Sequence, residues 1–572
     1  MTLKAGLEVH QQLDCGKLFC KCDEFDIEDS LIFKRKLHAT SSEMGNIDVA
    51  AKSEGIREFT YFNRGCNCLV YTDEEPPRGP NKEAVNIALQ FAKLVNSTIL
   101  EEVHFMRKVV VDGSNTSGFQ RTALIATGGQ IEYEGGILEL DQICLEEDSC
   151  RHGENKDEYL LDRLGIPLLE VTTKPQLNEP KQVQQAAKAL GRLLRACNVK
   201  RGLGTIRQDV NVSINGGQRV ELKGFQDLSS MPQVVENEMI RQANLNNLVQ
   251  GETLEPVIVS EYFEKRKFAI ASKLIGWKGI LGTKKSERNH VRMGRELADY
   301  AIKAGVKGLM HSDELPAYGI SEKETGKLHE ILDCEDNDAF VLIFGEEKMA
   351  KDAITRVSER VKMSGVPKEV RRVTPENLTR YIRPMPGASR MYPETDIPPL
   401  KLNNVQVIIP KTLDEREKLL PLNDEESKQM VSRNLDKRFE SLMKHCKEPK
   451  ILSRILLHIL PNIVSKEMPI ISDNEIIVVL DLVNEKRISK EGIEDALIQT
   501  AMGQEIQLGS ENIEEEVKEF IDHLINEKSE FVKERGMAAI GPLMGPVMSE
   551  FRGKVDGAEI NALLIERIKK EI

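Results

Sequence analysis

Two of the first ten residues have the chemistry of a site. In Leu3-Lys4-Ala5-Gly6-Leu7-Glu8-Val9-His10-Gln11 a carboxylate and an imidazole stand two positions apart, and on a strand that spacing sends both side chains to one face. Either that face is solvated or it handles a cation or a proton. The second reading needs more acids to converge on Glu8 and His10, and the chain offers several. The stretch Glu139 to Asp148 ends in three consecutive acids, Glu146, Glu147 and Asp148. Glu170 interrupts the apolar run from Tyr159 to Val171, where an unpaired carboxylate is costly to desolvate. Farther on, Asp209, Asn211 and Ser213 alternate with Val210, Val212 and Ile214, and Arg219, Glu221 and Lys223 align in the same way. Carboxylates in excess of one or two histidines suit oxygen-preferring Mg²⁺. A sheet that is polar on both sides is the alternative.

A second set is made of thiols. Cys20-Lys21-Cys22 and Cys66-Asn67-Cys68 are two C-x-C pairs beside turn-forming residues, and four thiolates would close a tetrahedral Zn²⁺ site if the two loops meet. Free buried thiols are the ordinary alternative. Ten cysteines in 572 residues are too few for a disulfide framework, and the rest are scattered.

The elements that must position these groups follow from periodicity. A chain of 572 residues calls for three to five domains at roughly 100 to 200 residues each. Its 40% hydrophobic and 30% charged content is that of a water-soluble protein, and no stretch reaches the roughly 20 apolar residues of a membrane helix. A cytoplasmic protein with no membrane contact is expected. The net charge of -13 argues against indiscriminate nucleic-acid binding but leaves room for a local basic surface. Val85, Ala88, Leu89, Ala92 and Val95 predict a packing helix opened at Asn81, and Val183, Ala187, Leu190 and Leu194 predict another opened near Pro180. Val103 to Val111 reads as one strand carrying His104, Arg107 and Lys108, followed by a hydroxyl-rich loop from Gly113 to Gly118 that could bind phosphate through backbone N–H groups, an exposed turn being the plainer reading. From about Thr412 the pattern is helical and charged, with Arg433, Lys437, Arg438 and Lys444 in a basic stretch that a nucleic acid could meet, a solvated helix being the alternative. Asp556-Gly557-Ala558-Glu559 opens a last helix bearing Ile560, Leu563, Leu564 and Ile568.

Taken together and in order, Gly6-Leu7-Glu8-Val9-His10-Gln11-Gln12-Leu13, Leu145-Glu146-Glu147-Asp148, Gly165-Ile166-Pro167-Leu168-Leu169-Glu170 and Arg219-Val220-Glu221-Leu222-Lys223 resemble the motifs of the tRNA-dependent amidotransferase B/E (GatB/GatE) family. The resemblance continues through Gly387 to Asp396 and into the tail at Gly541-Pro542-Leu543-Met544-Gly545. Between Thr283 and about Arg383 lies a segment that B-type members lack, similar to the insertion domain of bacterial-type aspartyl-tRNA synthetases and a mark of the E-type branch. The resemblance implies an α+β multidomain protein: a β-rich catalytic cradle over 1–282 and 384–411, the α+β insertion over 283–383, a helical domain over 412–508, and a small helical, YqeY-like tail over 509–572.

It also implies a function. The family uses ATP and Mg²⁺ to phosphorylate the γ-carboxylate of Glu misacylated onto tRNA(Gln), then amidates it. Here the implied Mg²⁺ and ATP site residues are Glu8, His10, Glu147 and Glu170, with Asp209 and Lys223 also catalytic, Glu146 and Glu221 weaker candidates, and His104 a family histidine near the site. Cys20, Cys22, Cys66 and Cys68 match the family's zinc knob, while the B-type members' Tyr/Pro-rich turn is absent from Asp112 to Gly118. Chemistry supports the need for ATP: an unactivated carboxylate resists ammonia because its leaving group would be oxide, and phosphorylation corrects that. No G-x-x-x-x-G-K-[ST] motif occurs, so ligands to Mg²⁺ must do more of the holding. Nor does an amidase or asparaginase-like signature occur, which calls for a partner supplying ammonia. By resemblance that partner is an asparaginase-like D subunit in a heterotetramer of two D and two E chains. Two other readings stand beside this one, a non-catalytic tRNA-binding scaffold and a relative of aspartyl-tRNA synthetase, although no class II synthetase motifs are present.

Overall fold

Leu3, Ala5, Leu7 and Val9 bury one side of the strand Leu3–Gln12, and the period of two sends Glu8 and His10 to the other. The structure, a computed structural model, describes residues 1–22, 32–41, 45–63, 68–225, 227–246, 251–263, 268–282, 293–403, 405–485, 487–506, 513–551 and 554–571. It divides into two units, Met1–Pro410 and Lys411–Ile572. Among the described residues no helix is long and apolar enough to cross a membrane.

The first unit is built on a 12-stranded sheet with Leu3–Gln12 in its middle. Across the sheet the strands run Thr379–Pro384, Glu369–Val373, Val220–Lys223, Ile206–Ile214, Leu3–Gln12, Pro167–Thr173, Gly136–Glu147, Phe119–Thr127, Phe105–Val109 and Met391–Pro393, with two short strands off this path. All these neighbours are antiparallel except Val220–Lys223 with Glu369–Val373, which are parallel. The sheet must be strongly curved. Ten strands laid flat at about 4.8 Å would set the edge strands about 43 Å apart, yet the link from Pro384 to Met391 reaches at most about 24 Å. The two edges are therefore drawn toward each other, and one face becomes the inside of a cradle.

Helices cover the convex face. Lys82–Leu94 starts at Asn81, whose side chain accepts from the backbone N–H groups of Glu83 and Ala84, and it buries Val85, Ala88, Leu89 and Ala92. Pro180–Leu194 has Pro at its first position and buries Val183, Ala187, Leu190 and Leu194. Both helices and their buried faces agree with the sequence reading.

Two expectations change. The strand Val103 to Val111 is broken at His104 into Glu102–Val103 and Phe105–Val109, and the loop after it is packed rather than exposed. Asn115 and Thr116 are buried, and the Thr116 hydroxyl donates to the carbonyl of Tyr71 at 2.7 Å. The polar side chains that suggest a surface turn are consumed inside.

A separate five-stranded sheet joins Glu252–Thr253, Val257–Ile258, Ala269–Ile275, Ala339–Phe344 and Met310–His311, with the helix Glu347–Lys362 against it. Its first three strands precede residue 283, while Glu369–Val373 and Thr379–Pro384 belong to the large sheet. Strand exchange thus crosses the expected limits of 283 and 383, because pairing between distant segments leaves no mark in local composition. In the second unit, helices enclose one core around Phe439, Leu452, Ile455, Ile476 and Leu497, and another around Val517, Ile521, Leu543, Ile560 and Leu564. The last helix, Gly557–Glu571, buries Ile560, Leu564 and Ile568.

Candidate active site

Strand register assembles the site. His10 stands opposite Glu170 on one neighbour, and Glu8 stands opposite Asp209 on the other. Glu170 is in turn opposite Cys144, so Glu146, two residues on, shares that face. The same rule aligns Asn211 with Glu221 and brings Lys223 beside Asp209. At the other flank Lys108 sits opposite Gln120. The concave face of the sheet is thus a polar row, and it lines a cavity of about 1380 Å³.

Contacts in that row are close. The two ring nitrogens of His10 lie 3.1 Å from Glu146 Oε1 and 3.2 Å from Glu8 Oε1. Lys108 Nζ donates to Glu146 Oε2 at 2.8 Å and lies 3.4 Å from Glu170 Oε2. Lys223 Nζ is 2.5 Å from both Asp209 Oδ2 and Glu221 Oε1. Possible ligand atoms of Glu8, His10 and Asp209 lie within 4.8 Å of one another, as do those of His10, Glu146 and Glu170.

The electrostatics show a shortage of positive charge. Burial works against a charged His10, but the bonded carboxylates of Glu146 and Glu8 outweigh it and push the imidazole up to about 10. Burial also works against an ionised Glu8, and His10 overcomes it, holding Glu8 down to about 2. Glu146 is likewise held well below the usual carboxylate range, since Lys108 and His10 outweigh its burial. Glu170 is not compensated: burial, with Lys108 only partly offsetting it, pushes its carboxyl up to about 7. Asp209 is raised by burial too, despite Lys223. Carboxylates from five residues therefore face two ammonium groups and one imidazole. Oxygen donors in excess fit a hard divalent cation, and the His10 imidazole would join them by releasing its proton when the cation binds.

Of the four residues expected to ligate Mg²⁺, Glu8, His10 and Glu170 converge and Glu147 does not. Alternation along Gly136–Glu147 turns Glu147 to the convex face. There its Oε1 accepts from the Arg121 backbone at 3.0 Å and lies 3.4 Å from the Arg121 guanidinium, and burial raises its carboxyl despite that guanidinium. Its Oε2 is buried with no hydrogen-bond partner among the described residues. Glu146 takes the place expected of Glu147. Lys108, expected only as part of a basic strand, is a member of the cluster, and its alternation with Arg107 is the signal in the sequence. His104 is exposed and lies 3.2 Å from Glu102, outside the row.

The thiols come together in part. Sγ atoms of Cys20, Cys22 and Cys68 lie within 4.8 Å of one another, and Cys66 falls outside the described residues. A hydrogen bond from Cys20, outweighing burial, holds the Cys68 thiol down to about 5, and Cys20 is raised correspondingly. A thiolate among neighbouring thiols is the donor chemistry of zinc.

In the second unit, Lys437 and Lys444 are exposed. Arg433 donates to the carbonyl of Leu457 at 2.9 Å, and Arg438 pairs with Asp473 at 2.6 Å. Two of the four basic residues are thus free of these internal ties.

Known proteins are similar to this chain over nearly its whole length. A family model described as the GatB/GatE catalytic domain matches residues 3–407, and one described as the GatB domain matches residues 437–568. The chain is 42% identical to the E-type subunit of glutamyl-tRNA(Gln) amidotransferase from Archaeoglobus fulgidus over 614 aligned residues, covering 100% of this chain and 98% of the relative. Proteins of the same name from Thermococcus gammatolerans and Methanocaldococcus jannaschii are each 40% identical, covering 100% and 99% of this chain and 98% of each relative.

Proposed function

The chain belongs to the GatB/GatE family, and on that premise we propose that it is the tRNA-dependent amidotransferase component that converts Glu-tRNA(Gln) to Gln-tRNA(Gln) with ATP. What carries the reading is the convergence of Glu8, His10, Glu146 and Glu170, the first three of which line one cavity large enough for a nucleotide and an aminoacyl ester. The γ-carboxylate oxygen of the esterified glutamate attacks the γ-phosphorus, and the bond to the β-phosphate oxygen breaks to release ADP. Ammonia then attacks the acyl carbon, the C–O bond to phosphate breaks, and the proton lost from nitrogen leaves with the phosphate. Mg²⁺ held by Glu8, His10, Glu146 and Glu170 would supply charge neutralisation at the transferring phosphoryl group. Lys223, anchored by Asp209 and Glu221, sets an ammonium at the cavity wall, where it offsets developing phosphate charge. Lys108 keeps Glu146 ionised and aimed inward.

Ammonia comes from an asparaginase-like partner, in a heterotetramer of two copies of each chain in the cytoplasm. The segment around 283–383 is the counterpart of the aspartyl-tRNA synthetase insertion, and Lys437 and Lys444, with Arg433 and Arg438, meet the tRNA. Cys20, Cys22, Cys66 and Cys68 hold a structural Zn²⁺. The test is to supply the full chain with ATP, Mg²⁺, ammonium and Glu-tRNA(Gln), and to follow ADP and Gln-tRNA(Gln). Both should form together and only with the charged tRNA; ATP consumption indifferent to Glu-tRNA(Gln) would overturn the reading.

A further inference from the structure

Three guanidiniums in the cavity wall lack an acid to answer them. Arg219, Arg383 and Arg390 line the same cavity as Glu8, His10 and Glu146. Among the described residues none of the three pairs with a carboxylate; the side-chain partner of Arg219 is the sulfur of Met385, at 3.0 Å. Four other arginines of this sheet do pair with acids. Arg107 and Arg121 bond Glu394 at 2.6 and 2.7 Å, Arg207 bonds Asp148 at 2.9 Å, and Arg371 bonds Glu369 at 2.7 Å. The chain carries 92 acidic against 79 basic residues, so a lack of acids does not explain the exception.

Their positions give the reason. Arg383 extends the polar row, since Val370 stands opposite both Glu221 and Arg383, and Arg219 precedes Glu221 by two residues. Arg390 enters from the opposite edge of the sheet, near enough to Lys108 for their charges to repel. The link from Pro384 to Met391 that joins the two edges carries Met385, Pro386 and Arg390 along the cavity. Guanidiniums thus flank the carboxylate cluster from both edges.

We propose that Arg219, Arg383 and Arg390 are a polyphosphate clamp that holds the β- and γ-phosphates of the nucleotide over the carboxylates. The proposal rests on the ATP-dependent reading above. A triphosphate brought up to five carboxylates meets repulsion that one divalent cation does not cancel, and forked guanidiniums supply the missing charge with two parallel hydrogen bonds each. Phosphodiesters of a tRNA end carry similar oxygens, so the test separates the two sources.

Binding of ATP, ADP and adenosine to the full chain is measured by calorimetry at fixed Mg²⁺ for wild type, Arg383→Gln and Arg390→Gln, with tripolyphosphate as competitor. Each substitution should weaken ATP about tenfold, weaken ADP less and leave adenosine unchanged. Tripolyphosphate should displace ATP from the wild type and lose that ability against the variants, and Arg383→Lys and Arg390→Lys should recover part of the loss. Uncharged tRNA should bind all variants alike, with an unchanged salt dependence. Unaltered ATP affinity would overturn the clamp, as would an equal loss for adenosine. Weakened tRNA binding with a shallower salt slope and intact ATP binding would assign the wall to the tRNA backbone instead. A wild-type chain without Mg²⁺-dependent ATP affinity would sink the underlying reading, an outcome distinct from unaltered variants.

Discussion

Lys108 reaches across the concave face to place its ammonium 2.8 Å from Glu146 Oε2, although the two residues lie on strands separated by Phe119–Thr127. The pair is buried, and Glu170 shares the same ammonium at 3.4 Å. Removing one partner of a buried ion pair strands the other's charge, which typically costs about 3–5 kcal/mol. Lys108→Met should therefore destabilise the first unit by about 3 kcal/mol in chelator, as read by urea unfolding through the single Trp277. Mg²⁺ should stabilise the variant more than the wild type, because a cluster left one positive charge short binds the cation more tightly and mass action then favours its folded form. No stabilisation of either chain by Mg²⁺ would show that no divalent cation occupies the cluster.

The alternation that separates Glu146 from Glu147 makes a sharper test. Glu146 accepts from His10 and Lys108 inside the cavity, whereas Glu147 bonds Arg121 on the convex face. Glu146→Gln should weaken Mg²⁺-dependent ATP binding at least about tenfold, since it removes a charge-assisted oxygen donor. Glu147→Gln should leave that affinity within about twofold, because an amide oxygen can still accept from the Arg121 backbone. Calorimetric titration of both variants decides, and a reversed order would put Glu147 back among the nucleotide-site residues.

These residues also mark what could be read from sequence. Glu8 and His10 were legible as one face because a strand's period of two is local, and so was the alignment of Glu221 with Lys223. The helices Lys82–Leu94 and Pro180–Leu194 carried their caps and buried faces in plain view. Choosing between Glu146 and Glu147 needed the pairing of Cys144 with Glu170, and register between strands is set by tertiary packing rather than by either strand alone. Lys108 was hidden for the same reason, as its partners lie 38 and 62 residues away. The 12-stranded and five-stranded sheets of the first unit exchange chain at Ala269–Ile275 and Glu369–Val373.

The thiol cluster predicts a bound metal. Cys68, held down to about 5, is a thiolate at neutral pH and sits with Cys20 and Cys22. Purified chain should carry about one equivalent of zinc, measured by elemental analysis. Cys68→Ser should lose most of it and lower the melting temperature, while Mg²⁺-dependent ATP affinity stays unchanged because these thiols lie outside the carboxylate row. Full zinc content in Cys68→Ser would remove Cys68 from the site.

Buried ion pairs tie the helix Met293–Ile302 to the large sheet. Glu296 on that helix accepts from Arg241 at 2.9 Å and from Arg371 at 2.9 Å, and Arg371 also bonds Glu369. All four side chains are buried. Burial alone would raise the Glu296 carboxyl, but Arg241 and Arg371 outweigh it and hold the group far below its ordinary value of 4.5. A carboxylate depressed in the folded state contributes stability that is fully present above its unfolded pKa and is lost as pH falls below it. Acidification from pH 6 toward pH 3 should therefore loosen this helix, seen as faster hydrogen exchange over Met293–Ile302 than over the strand Leu3–Gln12. Glu296→Gln should show the same loosening already at pH 7, costing about 3 kcal/mol as Arg241 and Arg371 lose a buried counter-charge, and should remove most of the pH dependence. Should the helix of the variant exchange like that of the wild type at pH 7, the ionic network would not be what binds the helix to the sheet, and the apolar contacts of Met293 and Leu297 would have to carry the junction.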